Sequence, residues 1–255
     1  MFLRLPLILL LSSAALRAAP LPLGDGEAFV FRVGWGIFGN AGEIRIAAQG
    51  LKETGGHLIT TTTATRGFLR GVYPFEARGE ARYDAAGRLL ESLESSESKK
   101  KHTRHELLFD YAARRAHYTD PLRPERNLAL DLPEGRPLDL ITSLIQTRTW
   151  DLQPGEKQDA LVIFDDDIYE LTIYAEKYED LRTPLGSFRT LKLVPRMEKT
   201  APKGMFKRGS NVSVWISQDE RRLPVRFEVE FKFGSGVATL VEHTRATSDA
   251  SHPHP

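Results

Sequence analysis

A chain of 255 residues and 28.7 kDa is long enough for one large domain or two small ones, and can bury roughly 70–75% of its unfolded surface without covalent staples. Its 35 basic and 34 acidic side chains nearly cancel, so nothing in the charge balance asks for nucleic acid as a partner. The absence of cysteine excludes disulfides, thiolate metal sites, a cysteine nucleophile and a lipidated N-terminal cysteine.

Residues 1–19 combine Arg4, the apolar run Leu5–Leu11 and the small residues Ser12, Ser13, Ala14, Ala15, Ala18 and Ala19. This is the layout of a secretory signal peptide, and the apolar run is too short to span a bilayer. Cleavage is expected after Ala15 or Ala18, because Pro20 fits a peptidase cleft badly; in the second case Arg4 and Arg17 leave and the net charge falls from +1 to −1. No other stretch reads as a transmembrane segment, so the mature chain is expected to be periplasmic or secreted in a bacterium. A single β-rich domain is expected over 20–245, divisible into halves 20–132 and 138–245, with a disordered tail at 246–255 where His252 and His254 alternate with proline.

The folded part opens at Phe29-Val30-Phe31-Arg32-Val33. Gly34-Trp35-Gly36-Ile37-Phe38-Gly39 then matches a dinucleotide-binding pattern, but the chain goes on with Gly42 and the strand-like Glu43–Ala47 instead of a helix, so the glycines read as a tight hairpin or bulge. After the polar loop Gly50–Gly56, His57–Thr65 is β-branched enough for a strand. Gly67–Pro74 reads as an aromatic-bearing loop, and Phe75–Tyr83 as a strand with Glu76, Arg78, Glu80 and Arg82 on a solvated face. Glu91–His105 is the most polar part of the body. Its Lys99-Lys100-Lys101 cluster fits either an anionic partner or a solvated edge, and His102 and His105 fall on opposite faces if the segment is extended. Leu107–Tyr111 is a further strand. The proline-rich Asp120–Pro137 reads as a linker, although Leu128, Leu130 and Leu132 alternate as an edge strand would.

One helix is expected, capped by Asp139, with Leu140, Ile141, Leu144 and Ile145 packed against a sheet. Ala160–Phe164 and Ile168–Ala175 form a hairpin about Asp165-Asp166-Asp167, which lacks the spacing of a calcium loop and reads as an acidic tip. Thr183–Phe188 turns into a strand over Arg189–Val194. Lys199–Gly209 is a basic loop, and within it Lys203, Met205, Phe206, Lys207 and Arg208 are the expected contact surface. The clearest signal is Val212–Val241, a three-stranded antiparallel meander. From Leu223 every second residue is apolar through Phe233, with Arg226, Glu228 and Glu230 on the wet face.

The ordered set made by Phe31–Gly36, the helix from Asp139, Trp150–Gly155, the hairpin about Asp165–Asp167, Thr183–Leu191, Val214–Ser217 and Arg222–Arg226 resembles the bacterial family called domain of unknown function 3108, from about Ala28 to Glu242. The resemblance implies a secreted, β-rich cell-envelope protein built on one rolled or barrel-like sheet. It assigns no residue a role, and the basic Gly204–Gly209 segment carries more charge than the motif needs.

The fold expected is therefore mainly β: a large antiparallel rolled sheet of meanders with one short packing helix. The function expected is non-catalytic binding or scaffolding in the periplasm, with a hydrophobic ligand or lipid held on the curved sheet, or an envelope protein as partner. The alternative is an envelope hydrolase with a carboxylate/His site. Gly234-Ser235-Gly236 lacks the spacing of a nucleophile elbow, so no catalytic, cofactor-binding or metal-binding residue is assigned and no cofactor is expected.

Overall fold

The computed structural model describes residues 21–202, 206, 211–231 and 234–247; the expected signal peptide and all but the start of the expected tail lie outside the described residues. The first half of the chain forms β1 (Ala28–Trp35), β2 (Phe38–Leu51), β3 (Gly56–Thr65), the short helix α1 (Gly67–Val72), β4 (Phe75–Tyr83), β5 (Leu89–Ser98), β6 (His102–Asp110), β7 (Arg115–Thr119) and β8 (Leu128–Asp131). The second half forms β9 (Leu138–Asp139), α2 (Leu140–Gln146), β10 (Lys157–Phe164), β11 (Asp167–Thr183), β12 (Gly186–Arg196), β13 (Asn211–Ser217), β14 (Pro224–Phe231) and β15 (Gly234–Thr244).

All fifteen strands belong to one sheet, ordered 8-7-6-5-4-3-2-1-15-14-13-12-11-10-9, antiparallel except where β9 meets β10. The chain starts at the centre of the sheet, meanders out to β8, crosses to the opposite edge at β9 and meanders back until β15 pairs with β1. That crossing decides the shape. Laid flat, fifteen strands at about 4.8 Å spacing put the two edges nearly 70 Å apart. The link from Asp131 to Leu138 spans at most about 25 Å. The sheet must therefore curl until its edges approach. It remains unclosed, since β8 and β9 do not pair.

The helix α2 lies in the hollow. Asp139 caps it as expected, its Oδ1 accepting from the amides of Ile141 and Thr142 at 3.0 Å each. Its four apolar residues do not share one surface. Ile141 and Ile145 pack on a core that draws on both halves of the chain, including Phe29, Ile46, Ile59 and Leu107 with Ile163, Val225 and Leu240, whereas Leu140 and Leu144 pack on a second core made by Val162, Leu171, Leu193 and Val214. The helix is a wedge with one apolar side towards each core. Asp139 Oδ2 also accepts a 2.6 Å hydrogen bond from the hydroxyl of Tyr83, a fully buried residue of β4, and this ties the wedge to the opposite wall. Tyr83→Phe should cost about 1.5–3 kcal/mol, the worth of a hydrogen bond to a charged group, as measured by urea unfolding.

The glycine pattern near the N-terminus makes a hairpin: Gly36 adopts φ +54° in the two-residue β1–β2 turn, and a Cβ on Gly42 would meet the Ala64 carbonyl oxygen at 2.9 Å. The expected loop at Gly67–Pro74 is instead mostly the helix α1, entered through Gly67 at φ +54°. Asp120–Pro137 is not a free linker; Pro124–Arg126 is a 3-10 turn and Leu128–Asp131 pairs with β7 as an edge strand. The strand β11 continues past Ala175 to Thr183 through a bulge between Ala175 and Lys177. The closing meander stands where expected, with Phe227 turned inward, but its outer face is drier than the alternation implied. Arg226 lies opposite Trp215, its guanidinium 5.0 Å from the indole centroid, and Glu228 pairs with it at 2.6 Å, so both are half-buried as a roof over the tryptophan.

Candidate functional site

Three rows of residues cross β3, β4, β5 and β6 in register and face the hollow: Thr63-Ala77-Ser96-Thr103, Thr61-Gly79-Glu94-His105 and Ile59-Ala81-Ser92-Leu107. Most are small or carry hydroxyl groups, so this wall does not reach α2, and a cavity of about 370 Å³ is left between them. Leu140 and Ile141 of α2, with Phe164, form its apolar side. The cavity extends to one end of the sheet, where Phe75 and the exposed Lys101 line it.

The polar groups converge at the other margin of the floor. His105 is 7% exposed; its Nε2 stands 3.4 Å from Glu94 Oε2, in ion-pair range but without a hydrogen bond, and its ring stacks 5.2 Å from that of Tyr118. The Tyr118 hydroxyl donates to Asp165 Oδ1 at 2.9 Å. Burial, reinforced by that carboxylate, raises the Tyr118 pKa well above the usual phenol value. Arg126 donates through Nη2 to Asp165 Oδ2 at 3.1 Å and to Asp166 Oδ2 at 2.5 Å, and lies over the Tyr118 ring. Burial alone would raise the Asp165 pKa, but the hydrogen bonds from Arg126 and Tyr118 outweigh it and hold Asp165 ionised. Beside them the fully buried Asp120 accepts from the Leu122 and Arg123 amides and from Arg123 Nε. Arg123 and Arg126 thus reach the cavity from a 3-10 turn braced on three carboxylates.

Histidines 102 and 105 diverge as an extended segment requires: His102 is exposed and His105 faces inward. The acidic turn differs from the expected solvent tip, since Asp165 is drawn into the cavity wall by Tyr118 and Arg126. Among the described residues no group of three or more His, Asp or Glu side chains is placed to hold a metal ion, and no helix is long and apolar enough to cross a membrane.

A second cavity, lined by Leu140, Leu144, Val162, Ile173, Val214 and Phe206 among others, is almost wholly apolar but only about 70 Å³. Ligand pockets run to roughly 300–1,000 Å³, so the apolar cavity is too small for a site. The polar-floored chamber has the size of one, as do clefts of about 590 Å³ beside Gly135, Leu161 and Lys199 and about 560 Å³ beside Glu176, Arg196 and Glu230, and the chamber differs from these in its buried histidine. Of the expected contact surface, Phe206 is half-buried, 6.1 Å from the Tyr169 ring and packed on the second core; Lys203, Met205, Lys207 and Arg208 lie outside the described residues. In the sequence Glu94, Ser96 and Thr103 read as part of a solvated strand pair, His105 only as a residue diverging from His102, and Asp165 only as part of an acidic tip.

The architecture is that of a barrel-like protein: one curled antiparallel sheet with an internal chamber beside an inserted helix. Residues 30–241 match the family described as "Protein of unknown function (DUF3108)", and the chain belongs to that family. Among solved structures it is similar to a β-barrel-like protein of domain of unknown function DUF1849 from Brucella abortus, at 8% identity and a TM-score of 0.58 over 88% of this chain and 98% of that one. Weaker likenesses reach a candidate exported protein with a YmcC-like fold from Bacteroides fragilis, at 13% identity and TM-score 0.35, covering 89% of this chain and 100% of that one. A candidate lipoprotein from Parabacteroides distasonis follows at 10% identity and TM-score 0.32, covering 88% and 99%. Among curated proteins none matches the sequence.

Proposed function

We propose that this is a non-catalytic binding protein of the bacterial cell envelope that holds a small amphipathic ligand in the chamber between β3–β6 and α2. The observation that carries the reading is Gly79. It sits mid-strand in β4, outside the positive-φ region, and a Cβ built on it meets nothing closer than Glu94 Cγ at 3.8 Å and Thr61 Cβ at 4.0 Å. Neither backbone conformation nor crowding asks for glycine there. A glycine inside a strand forgoes about 0.5–1 kcal/mol relative to alanine, and a common reason is the close approach of another group. At this position the space kept clear is the chamber. Hydroxyls of Thr61, Ser96 and Thr103 with Glu94 and His105 supply hydrogen bonds on one side, and Leu140, Ile141 and Phe164 supply apolar contact on the other. A ligand of mixed character suits this wall better than the purely hydrophobic one expected of a curved sheet.

Gly79→Ala should raise stability by about 0.5–1 kcal/mol in urea unfolding. Gly79→Leu should fold and fill the chamber. Native mass spectrometry of protein purified from its own envelope should find a small molecule on the natural chain and none on Gly79→Leu. A bare natural chain, or a ligand kept by the folded Gly79→Leu variant, sinks the proposal. The hydrolase alternative draws its support from one contact, the Glu94–His105 approach facing the chamber; turnover by the ligand-free protein that Glu94→Gln abolishes would favour it.

A further inference from the structure

Of the eleven large apolar side chains that stand exposed among the described residues, six are gathered at one end of the sheet: Trp35, Ile37 and Phe38 on the β1–β2 hairpin, and Phe68, Val72 and Tyr73 on and after α1. Ile37 is 93% and Phe68 68% exposed, and no residue of α1 is buried. The two segments form one projection, since the Phe38 and Phe68 rings stack at 5.8 Å and Gly67 lies against the Asn40 carbonyl. The β5–β6 turn stands beside them, Lys99 Nζ reaching the carbonyl oxygens of Gly71 and Val72 at 3.4 Å.

The charges around this projection are mostly positive. Arg66 is offset by Glu43 at 3.1 Å and Arg70 by Glu76 at 3.4 Å, while Glu97 faces His102 at 4.0 Å. Lys99, Lys100 and Lys101 remain as the local excess, all of them exposed. Protruding apolar side chains that include Trp and Tyr, rimmed by lysine, match a bilayer interface. There the rings enter the headgroup region and the cations meet anionic lipid. Position adds a further argument. Phe75 lies three residues past the end of α1 and Lys101 ends the lysine run, and both line the chamber. We infer that the β1–β2 hairpin, α1 and the β5–β6 lysines form a docking tip for anionic phospholipid bilayers, placed so that the chamber opens beside the lipid surface.

The test is sedimentation of the full mature chain with phosphatidylglycerol vesicles and with phosphatidylcholine vesicles. Binding is expected to the first, weakening as salt rises, and much less to the second. The double variant Ile37→Asp/Phe68→Asp, which leaves the core untouched, should keep its far-ultraviolet spectrum and melting point and bind about tenfold or more weakly. Lys99→Gln/Lys100→Gln/Lys101→Gln should weaken binding on the order of a hundredfold, at about fivefold per cation. Gly79→Leu should bind vesicles as the natural chain does, which separates this inference from the ligand reading. It is overturned if the natural chain does not sediment with phosphatidylglycerol, if the folded double variant sediments equally, or if ultracentrifugation shows a dimer that the double variant abolishes.

Discussion

Phe227→Asp should yield no soluble folded protein. Phe227 lies on the inner face of β14 between Val214 of β13 and Ala238 of β15, and its ring stands 4.9 Å from that of Phe31. It packs on both cores, so it is part of the seam where the two cores meet. Removing a large aromatic ring from such a place costs about 3–5 kcal/mol. An aspartate there adds an unpaired charge, which must be desolvated or drag water into the seam. Together these losses rival the whole stability of a typical domain, about 5–15 kcal/mol. Phe227→Leu keeps the apolar character and should remain soluble with a lowered melting point. Normal soluble yield and an unchanged melting point for Phe227→Asp would show that the meander faces the other way.

How far the sequence could be read depended on what each strand face touches. Where a face packs on apolar neighbours, the period of two was plain: Val212, Val214 and Ile216, or Val225 and Phe227, could be assigned inward from the sequence. The same rule failed at β5 and β6. Ser92, Glu94, Ser96 and Thr103 face inward, yet they look like a solvated surface because the interior they face is a chamber. Polar residues lining a cavity carry the same local signature as polar residues facing solvent, so the candidate site was hidden by the rule that located the core. Gly79 was the one available signal, a glycine inside an otherwise regular strand with no turn to explain it.

Pairings between distant segments were less legible than the strands themselves. The β8–β9 crossing and the β1–β15 seam join segments more than a hundred residues apart or at opposite sheet edges, and nothing local encodes them. The helix was found and its cap was right, but four apolar residues at i, i+1, i+4 and i+5 describe a broad stripe without saying that its two margins touch different cores. The Asp165 turn is the acidic hairpin tip that the sequence implies, between Phe164 and Asp167, but its partners were hidden for a related reason. Its partners Tyr118 and Arg126 come from the other side of the crossing, and only the rolled sheet brings them within hydrogen-bond distance.

Arg148→Met should cost about 3–5 kcal/mol, the penalty of breaking a buried ion pair while leaving one charge behind. Arg148 donates to Glu27 Oε1 at 2.7 Å, with side-chain exposures of only 14% and 7%, and also to the carbonyl oxygens of Pro22 and Arg221 at 3.1 and 2.8 Å. His243 of β15 approaches the same carboxylate oxygen at 3.0 Å, so one glutamate gathers the N-terminal segment, the turn after α2 and the last strand. Burial by itself would raise the Glu27 pKa; the His243 hydrogen bond and the charge and hydrogen bond of Arg148 more than reverse it, and the group lies below its ordinary value of 4.5. A depressed carboxyl pKa contributes stability that is fully present above the unfolded value and is lost as pH falls through the folded one. Urea unfolding of the natural protein should therefore show stability declining once the pH drops below about 4.5, with Glu27 among the groups responsible. In Arg148→Met that part of the acid slope should shrink, because burial is then opposed by fewer partners. Methionine keeps an apolar stem against the Phe29 ring, over which the guanidinium lies at 5.6 Å, so lost packing contributes little. The double variant Glu27→Leu/Arg148→Met should regain much of the loss, since it removes the stranded charge. If the single variant is as stable as the natural protein and its acid slope is unchanged, the Glu27 cluster is not what fastens the segment before β1 and the end of β15 to the turn after α2.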